Sequence, residues 1–316
     1  MSDYEGFAGR VDVRHLLTWC GAIVAGLLIP ARWSDRVIGA RLRNRELRNP
    51  DRILLLANLM EDYLGPAPGA DYLTEARSYE YRLAELQWGR VRDLTGRRWP
   101  ITTTVHGLDQ VESGRRDSRG VVLWHMSFGG TGVLPAKMAL AREGIEYVHL
   151  TRAQHGIGRD TWVAVRMIGP LYTRTEDRYV HERIAIPLDD SLGYMRTLIE
   201  RLEAGAVLTV MGEESGRRMV AVPFLRGERG FASGSPALAH KTGAVLLPVH
   251  AVRTGELEYA VHIESPIDVD YSLPRRQFVT AAINEYAARL GDVIRAHPSD
   301  WDGWRKRRDP PTPTER

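Results

Sequence analysis

The sequence predicts an α/β fold, a central and mostly parallel sheet flanked by helices, led by a helical N-terminal segment that associates with membrane. Three observations predict it. After Pro100, short apolar runs such as Val121–Trp124, Tyr147–Leu150 and Val207–Met211 alternate with helix-spaced segments, the pattern of strand, helix, strand. Before Pro100, apolar residues recur at helical spacing only, as in Ile53, Leu54, Ala57, Met60 and then Tyr79, Leu83, Leu86. The 316 residues are 43% hydrophobic and 26% charged, enough apolar material for one large core and too much for a disordered chain.

The most apolar stretch, Leu16 to Ile29, stops at Pro30. As a helix it spans roughly 21 Å, short of a hydrocarbon core of ~30 Å. Asp3, Glu5 and Asp12 precede it, which does not suit a signal peptide. A core helix and a helix lying in a membrane interface both remain. Arg32, Arg36, Arg41, Arg43, Arg45 and Arg48 follow, and an apolar segment backed by arginines suits an anionic membrane surface. Trp19 and Trp33 flank the stretch and suit interface anchors or packing. Cys20 within it reads as a small packed hydrophobe.

Pro66, Pro68 and Gly69 then separate two helices. Beyond Pro100 come strands at Val121–Trp124 and Tyr147–Leu150 around a helix at Val133–Arg142, and a helix near Leu192–Glu203. Strands at Val207–Met211 and Val220–Leu225, a helix at Pro236–Thr242 and strands at Ala244–Val252 and Tyr259–Ile263 follow, before a closing helix Arg276–Ala296. No linker divides the chain, so residues 1–50 form the membrane-associating segment, 51–305 one α/β domain with its helical lead-in, and 306–316 a polar tail.

Composition narrows the function further. One cysteine excludes a disulfide framework and a cysteine-built zinc site. A net charge of +3 is far from that of a nucleic-acid coat, and no nucleic-acid partner is expected. Only Lys137, Lys241 and Lys306 are lysines, so the basic residues are almost all arginine, whose fork grips phosphate in two-pronged fashion.

The chemistry concentrates at Gly120-Val-Val-Leu-Trp-His-Met-Ser-Phe-Gly-Gly130. A buried strand ends in His125, and two glycines turn the backbone into the next helix. A strand's carboxyl end is where open α/β sheets place ligands, and imidazole moves protons near neutral pH. Ser127 and Ser235 lack the G-x-S-x-G elbow of a serine hydrolase. His250 and His262 face each other on adjacent strands and read as structural rather than metal-ligating, with no carboxylate set beside them.

His125-Met-Ser-Phe-Gly-Gly resembles the histidine motif of the bacterial lipid A biosynthesis acyltransferase family, which includes lauroyl- and myristoyl-transferases and the phosphatidylinositol mannoside acyltransferase. Other blocks resemble the family in the same order: His106-Gly-Leu-Asp-Gln-Val-Glu112, Arg166-Met-Ile-Gly169, Leu202-Glu-Ala-Gly-Ala-Val207, Pro223-Phe-Leu-Arg-Gly227, Ser235 to Pro248, and His297-Pro-Ser-Asp-Trp301 with Trp304. The resemblance implies a long-chain acyl transfer from acyl-CoA or an acyl carrier protein to a hydroxyl or amine of a glycolipid acceptor. It implies His125 as general base, with no cofactor and no metal. It implies a peripheral or monotopic protein on the cytoplasmic face of the cell (inner) membrane.

One departure is plain. The family places an acidic residue five positions after its histidine, and this chain has Gly130 there. A replacement carboxylate is expected at Glu213 or Glu214, at the end of the Val207–Met211 strand. The alternatives are a catalytically inactive lipid-binding relative and an acyltransferase for a soluble secondary-metabolite acceptor. Backbone N–H groups at Gly129 and Gly130 are expected to receive the oxyanion, beside Ser127. Arg166 is expected to hold a phosphate, as are Arg226 and Arg229 on a loop running from Arg226 to Ser235.

Overall fold

A computed structural model describes residues 10–30, 33–96, 99–117, 120–129, 133–152, 162–187, 193–214 and 216–306. Four helices open the chain: α1 (Arg10–Leu28), α2 (Ser34–Arg48), α3 (Asp51–Leu64) and α4 (Tyr72–Leu94). Alternation follows with β1 (Thr102–His106), α5 (Leu108–Asp117), β2 (Val121–His125), α6 (Leu134–Arg142), β3 (Tyr147–Arg152), a π-helix (Ala164–Ile168), α7 (Gly169–Glu176) and β4 (Glu182–Ile186). The remainder is α8 (Gly193–Glu203), β5 (Val207–Met211), β6 (Met219–Phe224), β7 (Gly227–Ala232), α9 (Gly234–Thr242), β8 (Val245–Gly255), β9 (Glu258–Ile263) and α10 (Arg275–Ala296).

Seven strands form one sheet in the order β1-β9-β8-β2-β5-β3-β4. From β8 to β4 every pair is parallel, and β9 turns back antiparallel to β8. β2 is central and buried along its whole length. Alternate residues serve opposite faces: Val122 and Trp124 join a core with Ala282, Ile283 and Tyr286 of α10, whereas Val121 and Leu123 join one with Ala136, Ala139 and Leu140 of α6. A strand covered on both sides must be apolar throughout, which is why β2 shows no polar alternation.

The helical lead-in is held by charge as well as by apolar contact. Glu85 of α4 accepts two bonds from the Arg253 guanidinium of β8, at 2.9 and 3.2 Å, and a third from the Tyr259 hydroxyl at 3.1 Å. Gly89 of α4 is required by space, since a Cβ there would lie 2.3 Å from the Trp99 ring. No described helix is long and apolar enough to cross a membrane. α1 packs through Gly26 against Val91 and through Trp19 edge-on to Tyr172 at 5.5 Å. Its Val13, Leu17, Val24, Leu27 and Leu28 are exposed. Cys20 is exposed among them, not packed as expected.

One expectation is corrected here. Arg226 to Ser235 is no open loop, for residues 227–232 form β7, which pairs antiparallel with β6 from Met219↔Ala232 to Phe224↔Gly227. Its glycines hid the strand, because Gly227 and Gly230 break any apolar alternation. β1, a threonine run at the sheet edge, is likewise a strand that no apolar run announces.

Candidate active site

His125 ends β2, in register with Met211 of β5 and Val249 of β8. The residue is 1% exposed, and neither ring nitrogen has a hydrogen-bond partner among the described residues. Its carbonyl is fixed by the Gly212 N–H at 2.8 Å and the Tyr286 hydroxyl at 3.1 Å. Burial, and secondly the Lys137 ammonium, push the imidazole down to about 3, so the ring is neutral.

The turn beyond it is tied to the chain's C-terminal end. Asp302 N–H donates to the Ser127 carbonyl at 2.7 Å, Gly129 N–H donates to the Asp300 carbonyl at 3.4 Å, and Phe128 bridges Trp301. Gly129 has φ +74°, a left-handed conformation that favours glycine. Its N–H, expected to serve an oxyanion, is here directed at Asp300. Burial raises the Asp300 carboxyl to about 6 even though Arg82 pairs with it.

Glu213 reaches this turn but not the imidazole. One carboxylate oxygen accepts the Ser127 N–H at 2.8 Å; the other accepts Arg229 Nη1 at 2.6 Å and the Trp301 indole N–H at 2.9 Å. The expectation that Glu213 orients His125 is therefore corrected: its oxygens face three donors that burial would otherwise strand. Glu214, the other candidate, is half-buried beside it, and no hydrogen bond joins it to the His125 ring.

Arg229 is corrected with it. The hairpin β6–β7 carries its guanidinium between Phe224, Phe231 and Trp301, with ring centroids 5.3, 5.1 and 5.6 Å away, and Glu213 neutralises it. That cation is engaged rather than open to a phosphate. Arg226 is exposed near Gly65, and Arg166 is exposed on the π-helix; among the described residues no hydrogen bond or ion pair joins either to His125 or Glu213. Gly130 lies outside the described residues.

Several site residues escaped sequence reasoning. Lys137 of α6 is 2% exposed and donates to Glu176 of α7 at 3.1 Å, while Arg90 and Arg183 approach the same carboxylate at 3.6 Å. His149 of β3 lies buried with Nδ1 2.8 Å from the Thr209 hydroxyl, and burial followed by Lys137 lowers it well below its ordinary value. The rarity of lysine in this chain was the only local signal for Lys137. His250 and His262 pair in register and stack at 5.0 Å, and His106 extends the stack at 4.8 Å. Stacked planes do not converge their nitrogens, and no group of three or more potential metal ligands occurs among the described residues.

The family model for bacterial lipid A biosynthesis acyltransferases matches residues 173–308, a stretch that holds Glu213, Arg229 and Trp301 and begins after His125. No curated protein matches the chain significantly.

Proposed function

We propose that this chain, whose residues 173–308 match the family model for bacterial lipid A biosynthesis acyltransferases, moves a long-chain acyl group from a thioester to a hydroxyl or amine of an amphipathic acceptor, with His125 as general base. One observation carries the assignment of the base. A fully buried imidazole at the carboxyl end of the central strand has no hydrogen-bond partner for either nitrogen among the described residues. Leaving a buried polar group unsatisfied costs about 1–3 kcal/mol, a cost that a purely structural residue has no reason to carry.

In this reading the neutral ring removes the acceptor's proton as the acceptor attacks the acyl carbonyl, and the thiolate then leaves. Glu213 acts as a positioning residue: by fixing Ser127 N–H, Arg229 and Trp301 together it holds the turn behind the ring. The donor is acyl-CoA or an acyl carrier protein, and the acceptor a glycolipid. The exposed apolar stripe of α1, with Met167 and Leu171 nearby through the Trp19–Tyr172 contact, would lie on an anionic membrane, and the exposed Arg36, Arg41, Arg43 and Arg48 would meet its headgroups. Phosphate groups of substrate would fall to Arg166 and Arg226.

The test is thioester hydrolysis and acyl transfer by wild type and His125→Ala over a series of acyl-CoA chain lengths. Loss of a positioned base should lower turnover by ~10²–10⁴ with the fold retained. A folded alanine variant turning over at the wild-type rate would remove His125 from the mechanism. A wild-type protein that binds acyl chains without turnover would favour the inactive lipid-binding relative instead.

A further inference from the structure

Arg253 and Arg229 show how a closed pair looks in this protein. Arg253 meets the Glu85 carboxylate at 2.9 and 3.2 Å and Arg229 meets that of Glu213 at 2.6 Å, distances at which the N–H groups are bonded. The arrangement around Glu176 of α7 differs. Lys137 Nζ of α6 lies 3.1 Å from its carboxylate, but Arg90 Nη2 of α4 and Arg183 Nη2 of β4 both stand off at 3.6 Å, beyond a hydrogen bond. Arg90 Nη2 and both Nη atoms of Arg183 are buried with no hydrogen-bond partner among the described residues. The Arg90 and Lys137 side chains are only 6% and 2% exposed. Below Arg90 lies the Tyr172 ring, its centroid 4.8 Å from the guanidinium carbon, which offers a π face and no anion. Asp177 takes Arg183 Nε from outside at 2.6 Å. Three cations therefore meet two carboxylates, and the N–H groups turned toward Glu176 are the ones left unbonded.

Strand register places the cluster in the sheet. Arg183 of β4 pairs with His149 of β3, His149 with Thr209 of β5, and Thr209 with Leu123 of β2. Partners in register share a face, and Leu123 packs with Ala136 and Leu140 of α6. His125, two residues beyond Leu123, shares that face. We propose that Arg90, Lys137 and Arg183 form a binding site for one phosphate group, a terminal monoester or free phosphate, in addition to the exposed Arg166 and Arg226. Guanidinium forks present paired N–H groups to two oxygens of a phosphate, and an ammonium adds a point charge. A phosphate supplies both the acceptors and the negative charge that Glu176 must divide among three cations. Burial, and with it Arg183 and Arg90, weakens the Lys137 ammonium, which a further anion would restore. Depth selects a terminal group, since a diester needs two ways out. The inference stands apart from the reading of His125 as the base, because it concerns binding and is measured without turnover.

The experiment titrates inorganic phosphate into the full chain by calorimetry and thermal melting, against sodium chloride of equal ionic strength. It also follows the nitrogen-15 signal of the Arg90 side chain, assigned with Arg90→Lys. Phosphate should saturate, raise the melting temperature with its concentration and shift the Arg90 signal. Arg90→Lys, which keeps the charge and loses the fork, and Arg183→Gln should each weaken binding by about tenfold or more. Arg201→Gln, at an exposed arginine paired with Glu182, should leave it unchanged. The wild-type Arg90 signal keeps the test decisive should a variant fail to fold. Coenzyme A, its 3′-dephospho form and glucose 1-phosphate are then compared. A preference for coenzyme A over the dephospho form that Arg90→Lys removes upholds the site and puts the phosphate on the donor. Saturable binding of glucose 1-phosphate or inorganic phosphate without that preference upholds it and puts the phosphate on an acceptor or free in solution. No saturable effect of any of these beyond that of chloride overturns the inference. Phosphate binding at wild-type strength in both Arg90→Lys and Arg183→Gln, or an unmoved Arg90 signal at saturation, overturns it as well.

Discussion

The Glu213 carboxylate accepts the backbone N–H of Ser127 at 2.8 Å, across 86 residues of chain. This bond joins the end of β5 to the turn that follows the histidine of β2. It also decides what Glu213 is for. Its second oxygen takes the guanidinium of Arg229, a side chain 9% exposed, and the Trp301 indole, so one carboxylate ties strand, hairpin and C-terminal segment together.

Removing that carboxylate should be costly. Glu213→Gln or Glu213→Ala leaves Arg229 buried without its anion, and denaturant unfolding is expected to show a loss of about 3–5 kcal/mol. Glu214→Gln, at a half-buried position, should cost far less. Equal losses at the two positions would mean that the Arg229 pair does not hold the hairpin.

Acid stability should report the state of His125 directly. Its folded value of about 3 lies below the unfolded value of 6.5, so between them the unfolded chain binds more protons and stability rises with pH. The contribution is full above pH 6.5 and is lost as pH falls toward about 3. At pH 5 the loss should approach on the order of 2 kcal/mol. His125→Gln should therefore be less acid-sensitive than wild type in urea unfolding at neutral and at mildly acid pH; parallel pH curves would contradict a buried neutral ring.

Gly212 should tolerate no side chain. A Cβ there would lie 2.2 Å from the Tyr286 hydroxyl and 2.7 Å from the Trp124 indole nitrogen. Gly212→Ala must displace the hydroxyl that bonds the His125 carbonyl, so a loss of stability of about 1–3 kcal/mol is expected together with reduced turnover. Gly144→Ala and Gly205→Ala are poor controls, since both sit at positive φ; Gly234→Ala, with open space and no such constraint, is the appropriate one.

Vesicle binding should depend on the outer stripe of α1. Leu17→Gln with Leu28→Gln, at side chains 67% and 74% exposed, should weaken co-sedimentation with anionic vesicles while leaving the melting temperature within a few degrees. Neutralising Arg41 and Arg43 should act similarly and more strongly at low salt. Unchanged pelleting in both variants would leave α1 without a membrane role.

The sequence by itself determined the layering and the place of His125. The unbroken apolar run Val121–Trp124, between Gly120 and His125, suits a strand buried on both faces, and β2 is one; β5 runs Val207–Met211 as read. The pairing of charges was decided by the tertiary structure alone. Glu213 could be read as a carboxylate near the histidine, but which donors it meets depends on a hairpin 16 residues on and on Trp301, 88 residues on. Lys137 and Glu176 are 39 residues apart on different helices, and no local period links them. Apolar patterning is written residue by residue, because burial of a face repeats with the element's own period. Ion pairs and orphaned ring nitrogens are not, because they depend on which elements the packed core brings into contact.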